Sequence, residues 1–391
     1  MKFTVSATNF GNAIESASKF VSAKPAMPVL STVKILAWKG IGDDSSGLAI
    51  TGFDLSHGIE TVATGVEIYE SGTICANAAQ LLALVKQLSG QLVVEVVDDL
   101  ITITTLSGTV EIKGMPADEY PDLFEDMGDA KTYTLDAKTL ITAWKYCKVS
   151  ASTDESKVIL QGVNIRTDGG VLKIASTDGH RLTACEMGVE DVDIASITIP
   201  AKSIELLPNI NNDTDSTDGL FAQINLSVHE SSCVISNNTS KIITRLFEGK
   251  YPDYNMLIPT SFKRHLTVDR ARLVDALNVM ISVGNQKNVV TFDITETKLT
   301  VSTNRDGASG KMAVDCQFSS KFDDKLGGKF DGKDWAISFN IKYLLAQLKI
   351  ISTKSVKFSM NGNLEPVIIE PIELENGIDL TCLVMPIQLR D

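Results

Sequence analysis

The chain has 391 residues, which at about 150 per domain predicts two to three domains, each with a core of its own. Hydrophobic residues make up 43% and charged residues 22% of the sequence, so disordered and fibrous classes of protein are excluded. The formal net charge of −13 argues against a protein that coats nucleic acid or an anionic membrane with its whole surface.

A repeat with a period of about 130 residues organises the chain. The strings TVSATNF, TLDAKTL and TVDRARL begin at Thr4, Thr134 and Thr267. Each passes from a short β-like run into apolar residues at helical spacing, so each predicts a strand followed by a helix. The period has the length of a domain, and we therefore expect three copies of one domain.

Each third of the chain contains a second apolar segment with helical spacing, at 77–90, 200–210 and 340–351. Alternation of apolar and polar residues predicts strands, for example at 100–105, 170–177, 298–303 and 355–360. Asp-Gly and Asn-Gly pairs predict tight turns with positive φ beginning at Asp168, Asp178, Asp306 and Asn361. The predicted unit is an α+β domain in which two helices pack on antiparallel sheet.

Two similar segments separate the three copies. They span 113–126 and 246–259, and both contain Tyr-Pro-Asp, at Tyr120 and Tyr251. Proline restricts its own φ and keeps the preceding residue out of the helical region, which favours an extended linker. The predicted domains therefore cover 1–126, 127–254 and 255–391.

The sequence carries few signs of catalysis or metal binding. The four histidines are widely separated, and the motifs of serine hydrolases, phosphate-binding loops, dinucleotide folds and zinc proteases do not occur. We therefore expect no enzyme activity, no cofactor and no metal. The pair Asp98-Asp99 is predicted to be a solvated turn. The cysteines lack paired spacing and are predicted to be reduced and mostly buried: Cys75, Cys147, Cys185, Cys233, Cys316 and Cys382.

The sequence contains no apolar run of the roughly 18 residues that a membrane-spanning helix requires. The N-terminus also lacks a basic region followed by an apolar stretch of signal-peptide length. We therefore expect a soluble protein that is not exported.

Two strings are not explained by turn or strand patterns alone: STDGHRLTA at 176–184 and the apolar C-terminal CLVMPIQLRD at 382–391. Together with the triple repeat, the YPDYNMLIP junction, KPAMPVLSTV at 24–33 and ASTDESKVILQGV at 151–163, they give the chain a resemblance to the bacterial sliding clamps, the beta subunits of DNA polymerase III. The resemblance covers essentially the whole chain. It implies three tandem copies of a DNA-clamp domain per chain, and two chains joined head to tail in a closed ring of six domains.

The resemblance also implies a function and partners. A sliding clamp encircles double-stranded DNA without reading its sequence and tethers the replicative polymerase, which gives processivity without catalysis. The implied partners are the catalytic subunit of DNA polymerase III, the clamp loader complex, other proteins that carry clamp-binding peptides, and a second copy of the chain. No cofactor and no membrane are implied, and the implied location is the cytoplasm, in association with the nucleoid.

In the family that the chain resembles, the helices line the hole, so positive charge should concentrate on them. The predicted helical segments together carry +7, which leaves −20 for the rest of the chain. The net charge of −13 is therefore compatible with a basic wall that faces DNA. The residues predicted to face DNA are Lys19, Lys24, Lys86, Lys138, Lys145, Lys148, Lys202, Arg270, Arg272, Lys342 and Lys349.

The resemblance further implies a groove between the second and third domains that receives a short peptide containing Gln and Leu. Met256, Ile387 and Gln388 stand where the family often has other residues, which predicts a more apolar pocket than usual. The predicted groove residues are Leu160, Thr177, Gly179, His180, Arg181, Leu182, Pro252, Tyr254, Leu257, Val384, Met385 and Pro386.

Ring closure is implied to pair an edge strand at 107–113 of one chain with the end of a helix of its partner. The predicted interface residues are Val110 and Ile112 on the strand and Ile281 and Val283 on the helix.

Two other classes of function remain open at this stage. An acidic, β-rich, repeat-built chain also suits a structural or adhesive protein, which would show no separation of charge between helices and strands. A hydrolase with a dispersed active site would need catalytic groups gathered around His180.

Overall fold

The structure, a computed structural model, describes residues 1–22, 25, 27–40, 45–124, 127–205, 223–284, 288–305, 308–320, 335–373 and 377–388. The elements of the first third are β1 (Lys2–Ser6), α1 (Ala7–Ser18), β2 (Thr32–Trp38), β3 (Gly47–Phe53), β4 (His57–Val62), β5 (Glu67–Glu70), β6 (Gly72–Asn77), α2 (Ala78–Val85), β7 (Gln91–Val97), β8 (Leu100–Thr105) and β9 (Gly108–Lys113).

The second third contains β10 (Lys131–Asp136), α3 (Ala137–Lys148), β11 (Gly162–Asp168), β12 (Val171–Thr177), β13 (Arg181–Gly188), β14 (Ile197–Pro200), α4 (Ala201–Glu205), β15 (Gln223–Val228), β16 (Ser232–Ser236) and β17 (Ser240–Arg245). The last third contains β18 (Arg264–Asp269), α5 (Arg270–Val283), β19 (Val289–Ile294), β20 (Lys298–Arg305), β21 (Ala308–Ser320), β22 (Trp335–Asn340), α6 (Ile341–Ile350), β23 (Ser355–Met360), β24 (Val367–Pro371) and β25 (Asp379–Val384).

The strand-to-helix pattern of the repeat is confirmed. A helix follows directly on β1, β10 and β18, and a second helix follows on β6, β14 and β22. Polar side chains at several of these junctions satisfy the first free N–H groups of the helix. Ser6 accepts from the Asn9 amide, Asn77 from the Gln80 amide and Asp269 from the Arg272 amide. The first helix ends at Ser18.

The chain clusters into two compact units. Unit 1 comprises Met1–Ala137 and Glu205–Leu246 and contains a five-stranded sheet (β5-β1-β7-β8-β9) and an eight-stranded sheet (β10-β15-β16-β17-β4-β3-β2-β6). Unit 2 comprises Lys138–Ile204 and Phe247–Asp391 and contains a twelve-stranded sheet (β14-β11-β12-β13-β25-β24-β23-β18-β21-β20-β19-β22). The strands of the middle third are therefore divided between the two units.

The turn predictions are confirmed in part. Gly169 and Gly179 have φ values of +59° and +92°, and Asp98-Asp99 forms the turn between β7 and β8 with φ values of 50° and 64°. The prediction at Asn361-Gly362 is wrong, because neither residue has a positive φ. The chain makes a wider loop there, which the Asn361 side chain organises by accepting from the Lys263 amide and donating to the Ser261 carbonyl. The pair that begins at Asp306 lies outside the described residues.

The two junction segments are irregular, as predicted, but they are not simple extended linkers. Tyr120 and Tyr251 are both only 5% exposed. Tyr120 packs with Val29, Leu30, Cys75 and Leu123 in unit 1. A large aromatic side chain stabilises a core strongly when buried, so each junction is anchored to its unit by its tyrosine.

All six cysteines are free, and five of them are buried, with Cys316 half-buried. Burial raises the pKa of the Cys147 thiol, whose Sγ lies 3.7 Å from Sγ of Cys185. Five of the six thiols are therefore core groups, in agreement with the prediction that the cysteines are mostly buried.

Candidate functional site

The turn between β12 and β13 is held by one carboxylate. Asp178 is 9% exposed, and its Oδ1 accepts from the backbone amides of His180 (2.8 Å) and Arg181 (3.0 Å). Its Oδ2 accepts from Nε of Arg181 at 2.9 Å. Thr177 closes the other side of the turn, since its Oγ1 donates to the Arg181 carbonyl and accepts from the Gly179 amide. The turn therefore presents His180 and Arg181 in one defined arrangement.

Tyr343 of α6 completes this arrangement. The His180 ring stacks on the Tyr343 ring with centroids 6.3 Å apart, and the Arg181 guanidinium lies 4.6 Å from the centroid of the same ring. Cation–π contact of this kind favours a fixed position for the guanidinium. Sequence reasoning missed Tyr343, although it is the single aromatic residue of α6.

An apolar floor lies next to the turn. Its buried members come from β12, β13, β24 and β25 and from the junction after β17: Ala175, Leu182, Ala184, Tyr251, Tyr254, Ile368 and Leu383. Half-buried side chains pack against it: Ile159, Leu160, Ile258, Phe262 and Met385. The structure therefore brings the predicted residues Leu160, Leu182, Tyr254 and Met385 together in unit 2.

The two tyrosines of the floor are fixed by polar contacts. The Tyr251 hydroxyl accepts from the backbone amide of Thr177 at 3.0 Å, and the Arg166 guanidinium lies 5.1 Å from the centroid of the Tyr254 ring. Burial raises the pKa of Tyr254 to about 12, although the Arg166 charge acts in the opposite direction. Burial likewise raises the pKa of the Tyr251 hydroxyl. Both side chains are therefore neutral at physiological pH.

The rim of the floor is exposed and apolar. Met256 is 85% and Leu257 51% exposed, and both belong to the 3-10 helix Tyr254–Leu257. Met385 and Pro386 are half-buried, and the Met385 amide donates to the His180 carbonyl at 2.8 Å. Pro252 is exposed. An apolar floor with a partly exposed apolar rim can take up the apolar side chains of an extended segment.

Val384 is the predicted groove residue that the structure does not place on this surface. It is fully buried, pairing with Arg181 on one side and Val367 on the other. Successive side chains of a strand point to opposite faces, so with Leu383 in the floor, Val384 lies on the other face. The residue of β25 that contributes to the floor is therefore Leu383.

We define the tyrosine groove as this surface: the floor around Tyr251 and Tyr254, the rim of Met256, Leu257, Met385 and Pro386, and the turn with His180 and Arg181. Within the described residues, no group of three or more His, Cys, Asp or Glu side chains could hold a metal ion. The closest ring neighbour of His180 is Tyr343, which gives no support to a catalytic centre at that histidine.

The predicted cationic residues differ in their surroundings. Lys86 pairs with Glu15 (Nζ to Oε1, 3.0 Å) and Arg272 with Asp315 (Nη1 to Oδ2, 3.5 Å). Arg270 is turned to a structural role, since its Nε donates to the Thr353 carbonyl. Lys24 lies outside the described residues. The exposed lysines include Lys19, Lys138, Lys145, Lys202, Lys342 and Lys349, and Lys148 is half-exposed.

Positive charge is concentrated on two helices of unit 2. Helix α3 carries Lys138, Lys145 and Lys148 without an acidic residue, and α6 carries Lys342 and Lys349 without an acidic residue. By contrast, the single charged residue within α1 is acidic, Glu15. Lys19 and Lys86 are the C-cap residues of α1 and α2. Because α3 and α6 each carry more than one lysine and no acidic residue, they are the stronger candidates for an anion-binding surface.

The predicted edge strand is an edge in the structure. β9 is the last strand of the five-stranded sheet, and Val110 on it is 37% exposed. Ile112 is only 8% exposed, because its side chain packs within unit 1. Leu106, in the turn before β9, is fully exposed and was missed by the sequence reasoning. On α5, Ile281 is 41% exposed, and Val283 is half-buried.

Among the described residues, no helix is long and apolar enough to cross a membrane.

Comparison with known proteins adds a consistent set of likenesses. Family models of the DNA polymerase III beta subunit match in chain order: the N-terminal domain at residues 1–124, the central domain at 134–253 and the C-terminal domain at 255–388. The beta sliding clamp of Synechocystis is 30% identical over the full length of both chains.

Solved structures show the same fold. The DNA polymerase III beta chain of Streptococcus pneumoniae superimposes with a TM-score of 0.86 at 23% identity, covering 99% of this chain and all of the other. The sliding clamp of Pseudomonas aeruginosa bound to griselimycin gives a TM-score of 0.86 at 20% identity, over the full length of both.

Proposed function

Because the chain belongs to the DNA polymerase III beta subunit family, the sliding clamps, we infer that its tyrosine groove and its basic helices are the surfaces through which it meets protein partners and DNA. The chain is a non-catalytic processivity clamp for DNA polymerase, built from three tandem clamp domains. The alternative of an acidic structural or adhesive protein is not favoured. The family acts on DNA in the cytoplasm, and we propose that this chain associates there with the nucleoid.

We propose that the clamp domains cover 1–126, 127–254 and 255–391. The family models match residues 1–124, 134–253 and 255–388, which supports most of these domain boundaries to within a few residues. The anchored tyrosines at Tyr120 and Tyr251 lie just before the two boundaries, so each boundary follows a point at which the chain is tied to a core.

We propose that the tyrosine groove binds short peptides containing Gln and Leu, contributed by the polymerase catalytic subunit, the clamp loader complex and other proteins. The observation that carries this proposal is the exposed apolar rim around a buried floor, with Met256 85% and Leu257 51% exposed. Methionine is unbranched and repacks with little strain, so Met256 and Met385 suit a surface that accepts several different peptides. The complex of the Pseudomonas clamp with griselimycin supports a ligand groove in this fold.

A peptide titration tests the groove. We expect a fluorescent peptide with adjacent Gln and Leu to bind the wild-type chain, and griselimycin to displace it. The Met385→Ala, Pro386→Ala double variant should weaken binding at least tenfold, about 1.4 kcal/mol. A suitable control is Ile372→Ala, because Ile372 is an exposed apolar residue (53%) that lies beyond β24, at the end distant from Val367. Unchanged binding by the double variant would place the site elsewhere.

We propose that α3 and α6 contribute the main attraction for the DNA backbone. A plot of log affinity against log salt concentration is steeper when more lysines contact phosphates. Removing one such contact reduces the steepness of this plot by about one unit. The Lys145→Ala and Lys349→Ala variants should therefore each reduce the salt dependence of duplex binding. The Lys86→Ala variant is the matched control, since Lys86 is already paired with Glu15. Equal slopes for all three variants would contradict the assignment.

We propose that two chains close head to tail into a ring through β9 of one chain and the end of α5 of the other. An edge strand has unpaired backbone groups that can extend a sheet, and Val110 and Ile281 offer exposed apolar contact on the two surfaces. Sedimentation at micromolar concentration should give twice the mass of one chain, and Ile281→Asp should give a monomer. A monomeric wild-type chain that a clamp loader cannot retain on circular DNA would overturn the ring.

A further inference from the structure

One buried amide lies directly beneath the tyrosine groove. Gln347 of α6 is fully buried. Its Nε2 donates to the carbonyl oxygens of Leu182 (2.9 Å) and Leu383 (3.1 Å), and it lies 3.4 Å from Oγ of Ser150. Since both nearest partners are acceptors, only this orientation of the amide is compatible with them. A single side chain therefore holds the backbone of two strands.

The two carbonyls mark a particular place in the sheet. Leu182 and Leu383 are register partners across β13 and β25, and the side chains of both belong to the groove floor. The next pair along is Arg181 with Val384, and beyond it the Met385 amide donates to the His180 carbonyl. The amide of Gln347 thus acts two residues before the rim, at the pair next to the end of the ladder.

The contact is not needed to join the strands. β13 and β25 are already paired over six successive residues, from Arg181–Val384 to Glu186–Asp379. Among the described residues, Oε1 of Gln347 has no hydrogen-bond partner, and an unpaired buried acceptor is unfavourable for stability. An apolar side chain would fill α6 without that penalty, so the amide serves the geometry of the two carbonyls rather than the cohesion of the core.

We propose that Gln347 is a positioning residue for the tyrosine groove. Its two hydrogen bonds set the spacing of β13 and β25 under Leu182 and Leu383, and through the next residues they set the separation of His180 and Met385 at the rim. The proposal rests on the peptide-binding function proposed above. It assigns to α6 a second contribution to the groove, in addition to the Tyr343 ring that stacks on His180.

A matched pair of variants separates positioning from simple stability. Asn164 is also a buried amide of unit 2, 1% exposed, whose Nδ2 donates to the Ile197 carbonyl (2.9 Å) and to Oγ of Ser196 (2.9 Å), and whose Oδ1 also has no partner among the described residues. It ties β11 to β14, at the edge of the sheet away from β25. Gln347→Met and Asn164→Leu remove equivalent donors with little change in volume.

We expect both variants to change the thermal midpoint by a similar amount, and only Gln347→Met to weaken binding of the labelled Gln-Leu peptide. The dissociation constant should rise about tenfold for Gln347→Met and less than about twofold for Asn164→Leu. A Gln347→Glu variant extends the test, because a buried neutral carboxyl keeps one O–H donor in place of two N–H donors. Its dissociation constant should lie between those of the wild type and Gln347→Met.

Equal weakening by Gln347→Met and Asn164→Leu, or wild-type affinity in all variants, would overturn the proposal while leaving the groove in place. If Gln347→Met does not fold, the Gln347→Glu and Asn164→Leu chains make the same comparison. A wild-type chain that does not bind the peptide would refute the groove itself and this inference with it, which is a different result from the other two.

Discussion

The junction segments around Tyr120 and Tyr251 begin alike and end differently. In each, Tyr-Pro-Asp is followed by a large apolar residue, Leu123 in unit 1 and Tyr254 in unit 2. The tyrosines are each 5% exposed, and the residues three positions later are 6% and 1% exposed. Both segments thus bury the same two positions, each within its own unit.

The segments diverge immediately afterwards. The first continues with Phe124-Glu125-Asp126, of which the two acids lie outside the described residues, and the second with Asn255-Met256-Leu257. Met256 and Leu257 are exposed beside a buried floor. The repeat therefore preserves the two buried positions as an anchor, and the residues that follow the anchor in the second segment form the exposed apolar rim of the groove that we propose binds peptides.

The tyrosine hydroxyls differ as well. The Tyr120 hydroxyl donates to the Thr51 carbonyl at 3.3 Å, inside the sheet of unit 1. The Tyr251 hydroxyl instead accepts from the amide of Thr177, which closes the turn of His180 and Arg181. Only the second anchor is therefore connected to residues of the groove.

The largest expected effect is the loss of the second buried position of each anchor. Truncation of a buried aromatic or leucine side chain costs about 3–5 and 2–5 kcal/mol, respectively, so Tyr254→Ala and Leu123→Ala should both be strongly destabilised in urea unfolding. Peptide binding should be lost in Tyr254→Ala and retained in the folded fraction of Leu123→Ala. Loss of binding in both would mean that the first anchor also supports the groove, against the contrast drawn above.

The second junction can be converted toward the first by exchanging its exposed residues. The Met256→Glu, Leu257→Asp double variant carries the acids of the first segment at the corresponding positions. Because both side chains are exposed, the free energy of unfolding should change by about 0.5 kcal/mol or less per residue. Peptide affinity should fall at least a hundredfold, about 2.7 kcal/mol. An affinity within a few-fold of the wild type would show that the rim does not contact the peptide.

Local features of the site could be predicted from the sequence where short-range chemistry decides them. The turn at Asp178-Gly179 requires a residue that tolerates a positive φ and a side chain that accepts hydrogen bonds. The sequence supplies them as Gly179 and Asp178, and both take these roles in the structure. The apolar character of Leu182 and Met385 was also accessible, through the family resemblance. Only the turn depends on residues that are close to one another in the chain, and the grouping of Leu182 with Met385 rests on the resemblance.

The features that escaped prediction depend on contacts that are distant in the chain. Tyr343 meets His180, and Gln347 meets Leu182, only because α6 packs beneath the end of β25. The resemblance implied Val384, whereas Leu383 belongs to the floor, because a shift of one residue along a strand reverses the face. Arg270 was assigned to DNA from its helix alone, whereas its guanidinium reaches the Thr353 carbonyl.

The first anchor buries one tyrosine hydroxyl, that of Tyr120, and the second buries two, those of Tyr251 and Tyr254. The stability that the second anchor contributes should therefore depend more strongly on alkaline pH. Burial raises the pKa of Tyr254 from 10.0 to about 12, so above pH 10 the unfolded chain releases a proton that the folded chain keeps. The free energy of unfolding should therefore fall between pH 10 and about 12, by about 2 kcal/mol from this residue. Tyr254→Phe should remove that share, which urea unfolding at pH 9 and pH 11.5 can measure. A similar decline in wild type and variant would show that other groups cause it.

The smallest expected effect comes from removing the anchor hydroxyls themselves. In Tyr251→Phe the buried amide of Thr177 loses its acceptor, and an unsatisfied buried N–H costs about 1–3 kcal/mol. In Tyr120→Phe the group left without a donor is the Thr51 carbonyl, in a strand paired on both sides, so the loss of stability should be about 0.5–1 kcal/mol.

Hydrogen exchange adds a local measurement of the same two variants. The Thr177 amide should exchange faster in Tyr251→Phe, while the amides of β3 in Tyr120→Phe stay protected. Peptide affinity should fall only in Tyr251→Phe, because Thr177 holds the turn that presents His180 and Arg181. Equal effects of the two substitutions on stability and binding would mean that both hydroxyls are anchors alone, and that the groove takes its shape from the residues after them.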